Sequence, residues 1–338
     1  MIRRGRGVAV TIHSSGLTGG NDPSEAIIRL HVDGSVTVSI GSVDMGQGVK
    51  TIARQLTAEV LEMDPKLVKV IAGDTDPDPM CTGQFASRTT LVCGNAVKKA
   101  AEDLKYKIMQ YAAAKFQTPM EQLVYSDGVI ASAVEPGKRI TLPELAGEAC
   151  WVAQDALIGV GRHCPVFPPR DMETGKADFF QALQYCACVA DVAVDDETGE
   201  VEVEKLYVAL EMGKALNPLL LEGQIEGGAS FGVGFGLSED ILPYYPSIEH
   251  MRTSFREYRI PTALDMPPVE SVLVEKPSSF GPFGAKGCGE IVVNPVGPAI
   301  VNAVSNALGG VRFFELPLTP ERVLRALEEH EKAEACQK

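Results

Sequence analysis

The sequence lacks the features that mark membrane-spanning and secreted proteins. It contains no run of about 18 consecutive apolar residues, the minimum for an ordinary transmembrane helix. The basic segment Met1–Arg6 is not followed by the apolar stretch of a signal peptide. We therefore expect a cytoplasmic protein without a membrane span.

Positive charge is also in short supply. The chain has 31 Lys and Arg residues against 45 Asp and Glu residues, which gives a net charge of −14. This balance disfavours nucleic acids and anionic membranes as partners, because both are negatively charged. With 338 residues, 45% of them hydrophobic, the chain can form one large domain or two ordinary ones with a substantial core.

Cysteine and histidine patterns of the metal-binding kind are missing as well. The eight cysteines include no CxxC pair, and the five histidines form no HxH or HxxxH pattern. On a strand, Cys186 and Cys188 would point to one face; two metal ligands are conceivable there, but we prefer reduced core cysteines. The chain also has no Walker loop and no GxGxxG fingerprint, which counts against a stand-alone nucleotide-binding enzyme. We predict no metal held by protein side chains alone.

What the chain does have is a mixed α/β (α+β) pattern that occurs twice. An Asp33-Gly34 turn between two alternating segments predicts a hairpin over residues 27–40. A second hairpin is predicted over residues 189–208. Each hairpin is followed by a Gly-rich loop containing a glutamine and then by a helix, which predicts a weak internal repeat of two α/β halves facing each other. We place the halves at residues 1–150 and 151–338.

Further elements follow from periodicity and capping signals. Thr141 followed by Pro143 and Glu144 has the pattern of a helix start. The other predicted helices cover residues 49–63, 94–116, a segment ending near 236, 295–308 and 320–332. The other predicted strands cover 68–72, short strands in 122–132, and 271–275.

Four polar or Gly-rich loops stand out, at residues 44–48, 84–90, 223–228 and 283–290. Glycine permits a positive φ and a close approach of the backbone to a ligand. Together the loops offer many backbone N–H groups, a set that suits a large anionic cofactor with a phosphate and a hydrogen-bonding ring. Each loop taken alone is also compatible with an ordinary turn. Glu290 is a candidate general base, with a solvated carboxylate as the alternative.

At this point the sequence resembles the C-terminal, molybdopterin-binding half of the xanthine dehydrogenase/aldehyde oxidase family. In layout it is similar to the medium molybdopterin subunit of nicotinate dehydrogenases, in which the large subunit is split into two polypeptides. The resemblance covers nearly the whole chain in the family's order. It depends on residues 44–48 (DMGQG), 86–90 (ASRTT) with 94–96 (GNA), 223–228 (GQIEGG) and 281–290 (GPFGAKGCGE).

The resemblance implies a role for individual residues. Glu290 corresponds to the catalytic glutamate, the base that takes a proton from a metal-bound hydroxide. The other residues correspond to contacts of the pterin, its phosphate or the metal's surroundings: Gly46, Gln47, Gly48, Ala86, Ser87, Arg88, Thr89 and Gln224. The pterin dithiolene holds the metal in this family, so no protein cage is expected. Many members have Pro directly after the glutamate, whereas here Ile291–Asn294 precede Pro295, and this departure affects the expected shape of the loop.

The implied function is that of a molybdopterin-binding subunit of a molybdenum hydroxylase acting on an N-heteroaromatic substrate of the nicotinate or purine type. A non-catalytic cofactor-binding or assembly module is the alternative, and retention of Glu290 argues against it. The implied cofactor is molybdenum-molybdopterin, in the cytosine dinucleotide form. No ferredoxin-type cysteine pattern or flavin motif is evident. Electrons would therefore leave through iron–sulfur and FAD subunits, and a large molybdopterin subunit would supply the family's preceding half.

Overall fold

The computed structural model describes residues 1–17, 21–167, 171–177, 179–240 and 254–337. The chain divides into two compact units. Unit A consists of Ser14–Leu183 and Pro277–Gly287, and unit B consists of Met1–His13, Gln184–Lys276 and Cys288–Lys338.

The secondary structure of the described residues is mixed. The strands are β1 (Ile2–Ser15), β2 (Ser24–Leu30), β3 (Val36–Ile40), β4 (Val68–Ala72), β5 (Leu123–Ser126), β6 (Val129–Ser132), β7 (Arg139–Thr141), β8 (Ile158–His163), β9 (Ala182–Asp195), β10 (Val201–Glu211) and β11 (Val269–Val274). The α-helices are α1 (Val49–Val60), α2 (Thr89–Phe116), α3 (Leu142–Trp151), α4 (Pro218–Leu237), α5 (Val293–Ala307) and α6 (Pro320–Gln337). This confirms the predicted α/β fold class.

Unit A is built on a four-stranded sheet in the order β4-β3-β2-β8. Strands β2 and β3 form the predicted hairpin, and β3 continues through α1 to the parallel strand β4. Helix α2 packs across β2 and β8. It buries Leu91, Leu104 and Ile108, while the sheet buries Ile28 and Val38. A three-stranded sheet, β5-β6-β7, leads into α3, whose predicted Thr141 cap forms a capping box with Glu144.

Unit B is built on a four-stranded sheet in the order β1-β9-β10-β11. Strands β9 and β10 form the second predicted hairpin, and β10 continues through α4 to the parallel strand β11. Cys186 and Cys188 lie in this core and are buried. Neither forms a disulfide, as predicted, and burial raises the pKa of each thiol to about 12, which makes both poor nucleophiles.

The two units share one connectivity: hairpin, helix, parallel strand, second helix, with an added antiparallel or edge strand beside the hairpin. The added strand carries a Gly-x-Gly pair in both. A methyl group at Gly159 or Gly161 of β8 would overlap carbonyl oxygens of α2. A methyl group at Gly5 or Gly7 of β1 would overlap the backbone of α5. The predicted repeat is therefore present as a repeat of architecture.

Several predicted boundaries differ from the structure, among them the following. Helix α2 begins at Thr89 and not near residue 94. Helix α4 begins at Pro218, so residues 223–228 are helical and not a loop. The units also differ in extent from the halves 1–150 and 151–338, because β8 pairs with β2 and residues 277–287 belong with unit A. None of the described helices combines the length and apolar character needed to cross a membrane.

Candidate functional site

The site residues of unit A follow the ends of two parallel strands. Strand β3 ends at Ile40 and β4 ends at Ala72. Because β3 and β4 run parallel, their carboxyl ends lie at the same edge of the sheet, where α/β proteins commonly bind ligands. The loops that leave this edge contain residues 44–48 and 84–89.

The loop 44–48 is held by its own side chains. Gly46 and Gly48 adopt φ values of 100° and 89°, which L side chains rarely reach. The Asp44 carboxylate accepts hydrogen bonds from the backbone N–H groups of Gly46 (3.0 Å) and Lys50 (3.2 Å). Gln47 Oε1 accepts from Met45 N, and Gln47 Nε2 donates to the Val43 carbonyl.

These bonds set the charge of the loop. Partial burial alone would raise the pKa of Asp44, but the backbone N–H donors outweigh burial and lower it. An ionised carboxylate therefore lies at the N-terminal end of α1, where the N-cap residue Gly48 has no side chain to cap the helix.

The second loop places two consecutive non-glycine residues in the left-handed region. Ala86 has φ 48° and Ser87 has φ 47°. Such backbone is costly and persists only where surrounding structure enforces it, often at ligand sites. Here the Ala86 carbonyl accepts a hydrogen bond from Gly16 N at 2.8 Å. A methyl group at Gly287 would overlap the Ser87 carbonyl oxygen, so the glycine permits residues 283–287 to lie against this loop.

Arg88 supports this loop from inside the protein. Its side chain and that of Asp22 are fully buried, and Arg88 Nε donates to Asp22 Oδ1 at 2.5 Å. The remaining guanidinium nitrogens donate to the carbonyls of Gly83 (2.8 Å) and Pro23 (3.0 Å) and to Cys81 Sγ (3.0 Å). The guanidinium thus binds the protein's own loops.

Two further side chains complete this network. Burial would raise the pKa of the Cys81 thiol, but its hydrogen bond with Ser42 and the positive charge of Arg88 lower it. Thr89 Oγ1 donates to Gln84 Oε1 at 2.6 Å, which closes the turn that leads into α2. Residues 42, 81 and 88 thereby connect the base of the loop 44–48 to the loop 84–89.

The site residues of unit B lie in the first half of α4 and just before α5. Methyl groups at Gly228 and Gly232 of α4 would collide with Val292 and Val296, so α4 and α5 pack closely and run in the same direction. Gln224 precedes Gly228 by one turn, and Glu290 lies in the turn just before α5. Gln224 and Glu290 therefore both lie on the N-terminal side of the Gly228–Val292 contact, toward the same end of the helix pair.

Glu290 is about half exposed, and a histidine side chain lies close to it. His13 Nε2 lies 3.5 Å from Glu290 Oε2, and the His13 side chain is mostly covered. The neighbouring Cys288 is a poor nucleophile because burial raises the pKa of its thiol to about 12. Glu290 is thus the candidate for proton transfer in this segment.

The structure thus gathers the predicted residues into two groups. Gly46, Gln47, Gly48, Ala86, Ser87, Arg88 and Thr89 lie in unit A, and Gln224 and Glu290 lie in unit B. Sequence reasoning missed Asp22, Asp44, Cys81 and His13. Only Asp44 had a local signal, since it is two residues before Gly46 and can cap the following helix.

In each unit, the described residues leave room for a bound group that brings its own metal ligands. Methyl groups at Gly46 and Gly289 would meet nothing within 4 Å, so these positions leave open space beside the backbone. The left-handed turn at Ala86 and Ser87 adds two small side chains. No group of three or more His, Cys, Asp or Glu side chains suited to a metal occurs among the described residues. A pterin that holds its own molybdenum requires no such group.

Comparison with known proteins agrees with this geometry. Residues 1–267 match the family described as molybdopterin cofactor-binding domain. The chain is 36% identical over 331 residues to the probable hypoxanthine oxidase XdhD of Escherichia coli K12. The aligned region covers 96% of this chain and 32% of XdhD. It is 31% identical to the nicotine 6-hydroxylase large subunit of Paenarthrobacter nicotinovorans, covering 95% of this chain and 40% of that subunit.

A solved structure shows the same fold. The quinoline 2-oxidoreductase of Pseudomonas putida 86 superimposes with a TM-score of 0.85 at 27% identity, covering 97% of this chain and 42% of the other. The chain therefore spans about a third to two fifths of the length of the proteins it matches.

Proposed function

The chain belongs to the molybdopterin cofactor-binding domain family of the xanthine dehydrogenase/aldehyde oxidase type, and from this premise we propose that it is the molybdopterin-binding part of a molybdenum hydroxylase. The proposal goes further than family membership in three respects: the enzyme is active, its substrate is an N-heteroaromatic ring, and its product oxygen derives from water.

The observation that supports an active enzyme is the position of Glu290. A carboxylate at the start of a helix, half exposed and beside open space at Gly289, can reach a bound reactant. A module that only bound or inserted the cofactor would need no base at this position.

In this proposal, different residues of the chain bind the cofactor, support the loops and transfer a proton. Backbone groups of residues 46–48 and 86–89 bind the cofactor, while Arg88 and Asp22 hold the second loop in its strained form. Gln224 lies at the same helix-pair end as Glu290 and can donate to the pterin. When bound, the cofactor supplies a two-electron acceptor and an activated water-derived oxygen. Glu290 takes a proton during the reaction, and His13 orients the Glu290 carboxylate.

Similar proteins support the substrate class. Their names specify hypoxanthine, nicotine and quinoline, which are all nitrogen heteroaromatics. The family also includes aldehyde oxidases, so an aldehyde is the competing substrate. We propose a nicotinate- or purine-type substrate for this chain.

Partner subunits are part of the proposal. One relative is a large subunit, and the chain spans less than half of each similar protein. We propose that a large molybdopterin subunit, an iron–sulfur subunit and an FAD subunit complete the enzyme. We also propose that the cofactor is the cytosine dinucleotide form.

The experiment is to purify the complex from its native host through a tag on this chain. Molybdenum, iron, flavin and released cytidine nucleotide are then quantified. Turnover is assayed with nicotinate, hypoxanthine, xanthine and an aromatic aldehyde in ¹⁸O-labelled water. The proposal predicts molybdenum, cytidine nucleotide and ¹⁸O incorporation into a heteroaromatic product.

Each of the other possible results would contradict a specific part of the proposed function. Turnover of the aldehyde alone would overturn the substrate class. Molybdenum that none of these substrates reduces would identify a cofactor-binding or assembly module. A complex without molybdenum would overturn the proposal as a whole.

A further inference from the structure

The sheet of unit B has one face covered by helices and one face open. On the covered face, Gly5 and Gly7 of β1 lie in direct contact with α5. Successive side chains of a strand alternate between the two faces of a sheet. The even-numbered residues of β1 therefore point away from α5, and among them Val8, Val10 and Ile12 are 57%, 76% and 61% exposed.

The neighbouring strands continue this open apolar face. Arg6 of β1 forms a bidentate ion pair with Asp191 of β9 and lies over the ring of Tyr207 of β10, which shows that these residues share one face. The strand register adds the remaining apolar members: Tyr185, Ala187, Val189, Ala209, Val272 and Val274. None of these is buried, whereas Glu211, which shares the face, is 8% exposed and accepts a hydrogen bond from Gly213 N.

We call this surface the open face of unit B. It consists of Val8, Val10, Ile12, Tyr185, Ala187, Val189, Tyr207, Ala209, Val272 and Val274. Contiguous apolar patches of this kind are uncommon on monomeric proteins and mark interfaces. The charged residues beside it are paired with one another: Arg4 with Glu204, Arg6 with Asp191 and Lys205 with Glu270.

Unit A provides an internal control because its sheet has the same connectivity. The face of that sheet turned away from α2 carries mixed residues: Glu25, Ile27, Arg29, Thr37, Ser39, Lys69, Ile71, Ile158, Val160 and Arg162. Charged and hydroxyl side chains make this a normal solvated face. The apolar composition in unit B is therefore not a consequence of the architecture.

The similar proteins indicate what covers the open face. The quinoline 2-oxidoreductase chain contains this fold within a polypeptide of which it forms 42%. XdhD contains it within a polypeptide of which it forms 32%. More than half of each of those chains is thus additional protein available to pack on this sheet, whereas the described residues of this chain leave it open.

We propose that the open face of unit B is the docking surface for the polypeptide that corresponds to the remaining part of these relatives, whether or not it is joined to this chain. The proposal rests on the proposed function for the identity of the partner. A two-layer unit with one bare apolar face becomes a three-layer unit when the partner packs on it. The paired charges at its margin fit the rim of a protein interface.

The test places a photo-crosslinking p-benzoylphenylalanine in the complex purified through a tag on this chain. It replaces Val10 or Val272 on the open face, and in a matched control it replaces Lys69 on the equivalent face of unit A. Mass spectrometry identifies the crosslinked peptides. The proposal predicts that Val10 and Val272 crosslink to the polypeptide homologous to the remaining part of XdhD, at least tenfold more than Lys69 does.

Several results would overturn it. Crosslinks to a second copy of this chain, to the iron–sulfur or FAD polypeptide, or to nothing would each do so. Molybdenum analysis of the same sample separates the two proposals: molybdenum without these crosslinks overturns only the docking surface, and the crosslinks without molybdenum overturn only the proposed function.

A disruption experiment gives a second reading. Val10→Asp is expected to reduce the co-purified partner at least tenfold, and the near-isosteric Val10→Thr much less. Because Val10 is exposed in the unpartnered chain, thermal unfolding of the chain itself should be unchanged by either variant. Equal partner content in wild type and Val10→Asp would contradict the proposal.

Discussion

Units A and B repeat one connectivity but begin their first helices differently. In unit A, α1 follows Gly48, and the Asp44 carboxylate four residues earlier binds its N-terminal N–H groups. In unit B, α4 begins at Pro218 with an Asn217 cap, whose Oδ1 accepts from Leu220 N at 3.1 Å. Helix α4 is longer than α1 and includes Gln224, whereas Gln47 of unit A lies in the loop before α1.

The two units therefore present different chemical groups. Unit A presents loops, with backbone N–H groups and glycines at positive φ, and holds them by a buried ion pair. Unit B presents side chains from helix starts, among them the half-exposed Glu290. Unit A thus offers mainly backbone N–H groups and unit B mainly side chains, and in our proposal Glu290 is the acid–base group.

The largest expected effect comes from removing the proposed base, Glu290, in unit B. Glu290→Gln keeps the size of the side chain but cannot accept a proton, so turnover should fall about 10²–10⁴-fold. Molybdenum content should stay near normal. Rapid mixing of the loaded complex with substrate, without an electron acceptor, measures the step directly.

The control is Glu329→Gln on α6, which removes an equal charge from an exposed position. It should leave the rate unchanged. Wild-type rates of molybdenum reduction in Glu290→Gln would show that Glu290 is not the base and that both units serve only to bind.

The next largest effect is expected from disturbing the loop 84–89 of unit A. Asp22→Asn leaves the Arg88 guanidinium buried without its anionic partner, and breaking a buried pair in this way costs about 3–5 kcal/mol. Local opening should become easier, so amide hydrogen exchange of residues 86–92 should accelerate and molybdenum content should drop.

The matched control for this variant is Glu25→Gln, which breaks the exposed Glu25–Arg162 pair of the same unit. Exposed pairs contribute about 0–1 kcal/mol. If Asp22→Asn and Glu25→Gln change exchange equally, the buried pair does not hold the loop.

Local sequence signals were enough for much of this fold. The Asp33-Gly34 turn, the Thr141 helix cap and the hairpin of β9 and β10 were predicted and are present. The start of α4 was predicted wrongly because residues 223–228 were interpreted as a loop from their glycines. The Asn217-Pro218 signal begins the helix earlier, and Gly228 serves close packing against α5.

The site was predictable only where its signal is local. Glycine-rich composition alone indicates two parts of the site, namely Gly46 with Gly48 and the loop that ends at Glu290. The Asp22–Arg88 pair joins residues 66 positions apart, and His13 meets Glu290 from the opposite end of the chain. No local pattern encodes such pairs, because they arise only when the sheets bring distant strands and helices together.

A smaller effect tests whether the two edge strands are equivalent. Gly7→Ala in β1 and Gly161→Ala in β8 each force a methyl group into the backbone of the packed helix. Overpacking typically costs about 1–3 kcal/mol, and we expect similar losses in both units. Hydrogen exchange of α5 and α2 measures them separately. Gly137→Ala, with open space around it, should cost less than about 0.5 kcal/mol. A loss in only one unit would break the equivalence.

The smallest effect is a difference in pH dependence between the two helix starts. Backbone N–H donors lower the pKa of Asp44 below its ordinary value of 3.8. A depressed carboxyl pKa in the folded state stabilises the protein above the unfolded value, and this contribution is lost as pH falls through the folded value. Helix α1 should therefore exchange its amides faster, relative to α4, as pH falls below about 4. Asp44→Asn should remove this dependence, because an amide keeps an acceptor without titrating. Asn217→Asp should create the same dependence in α4, and its absence there would show that the cap does not set the pH response.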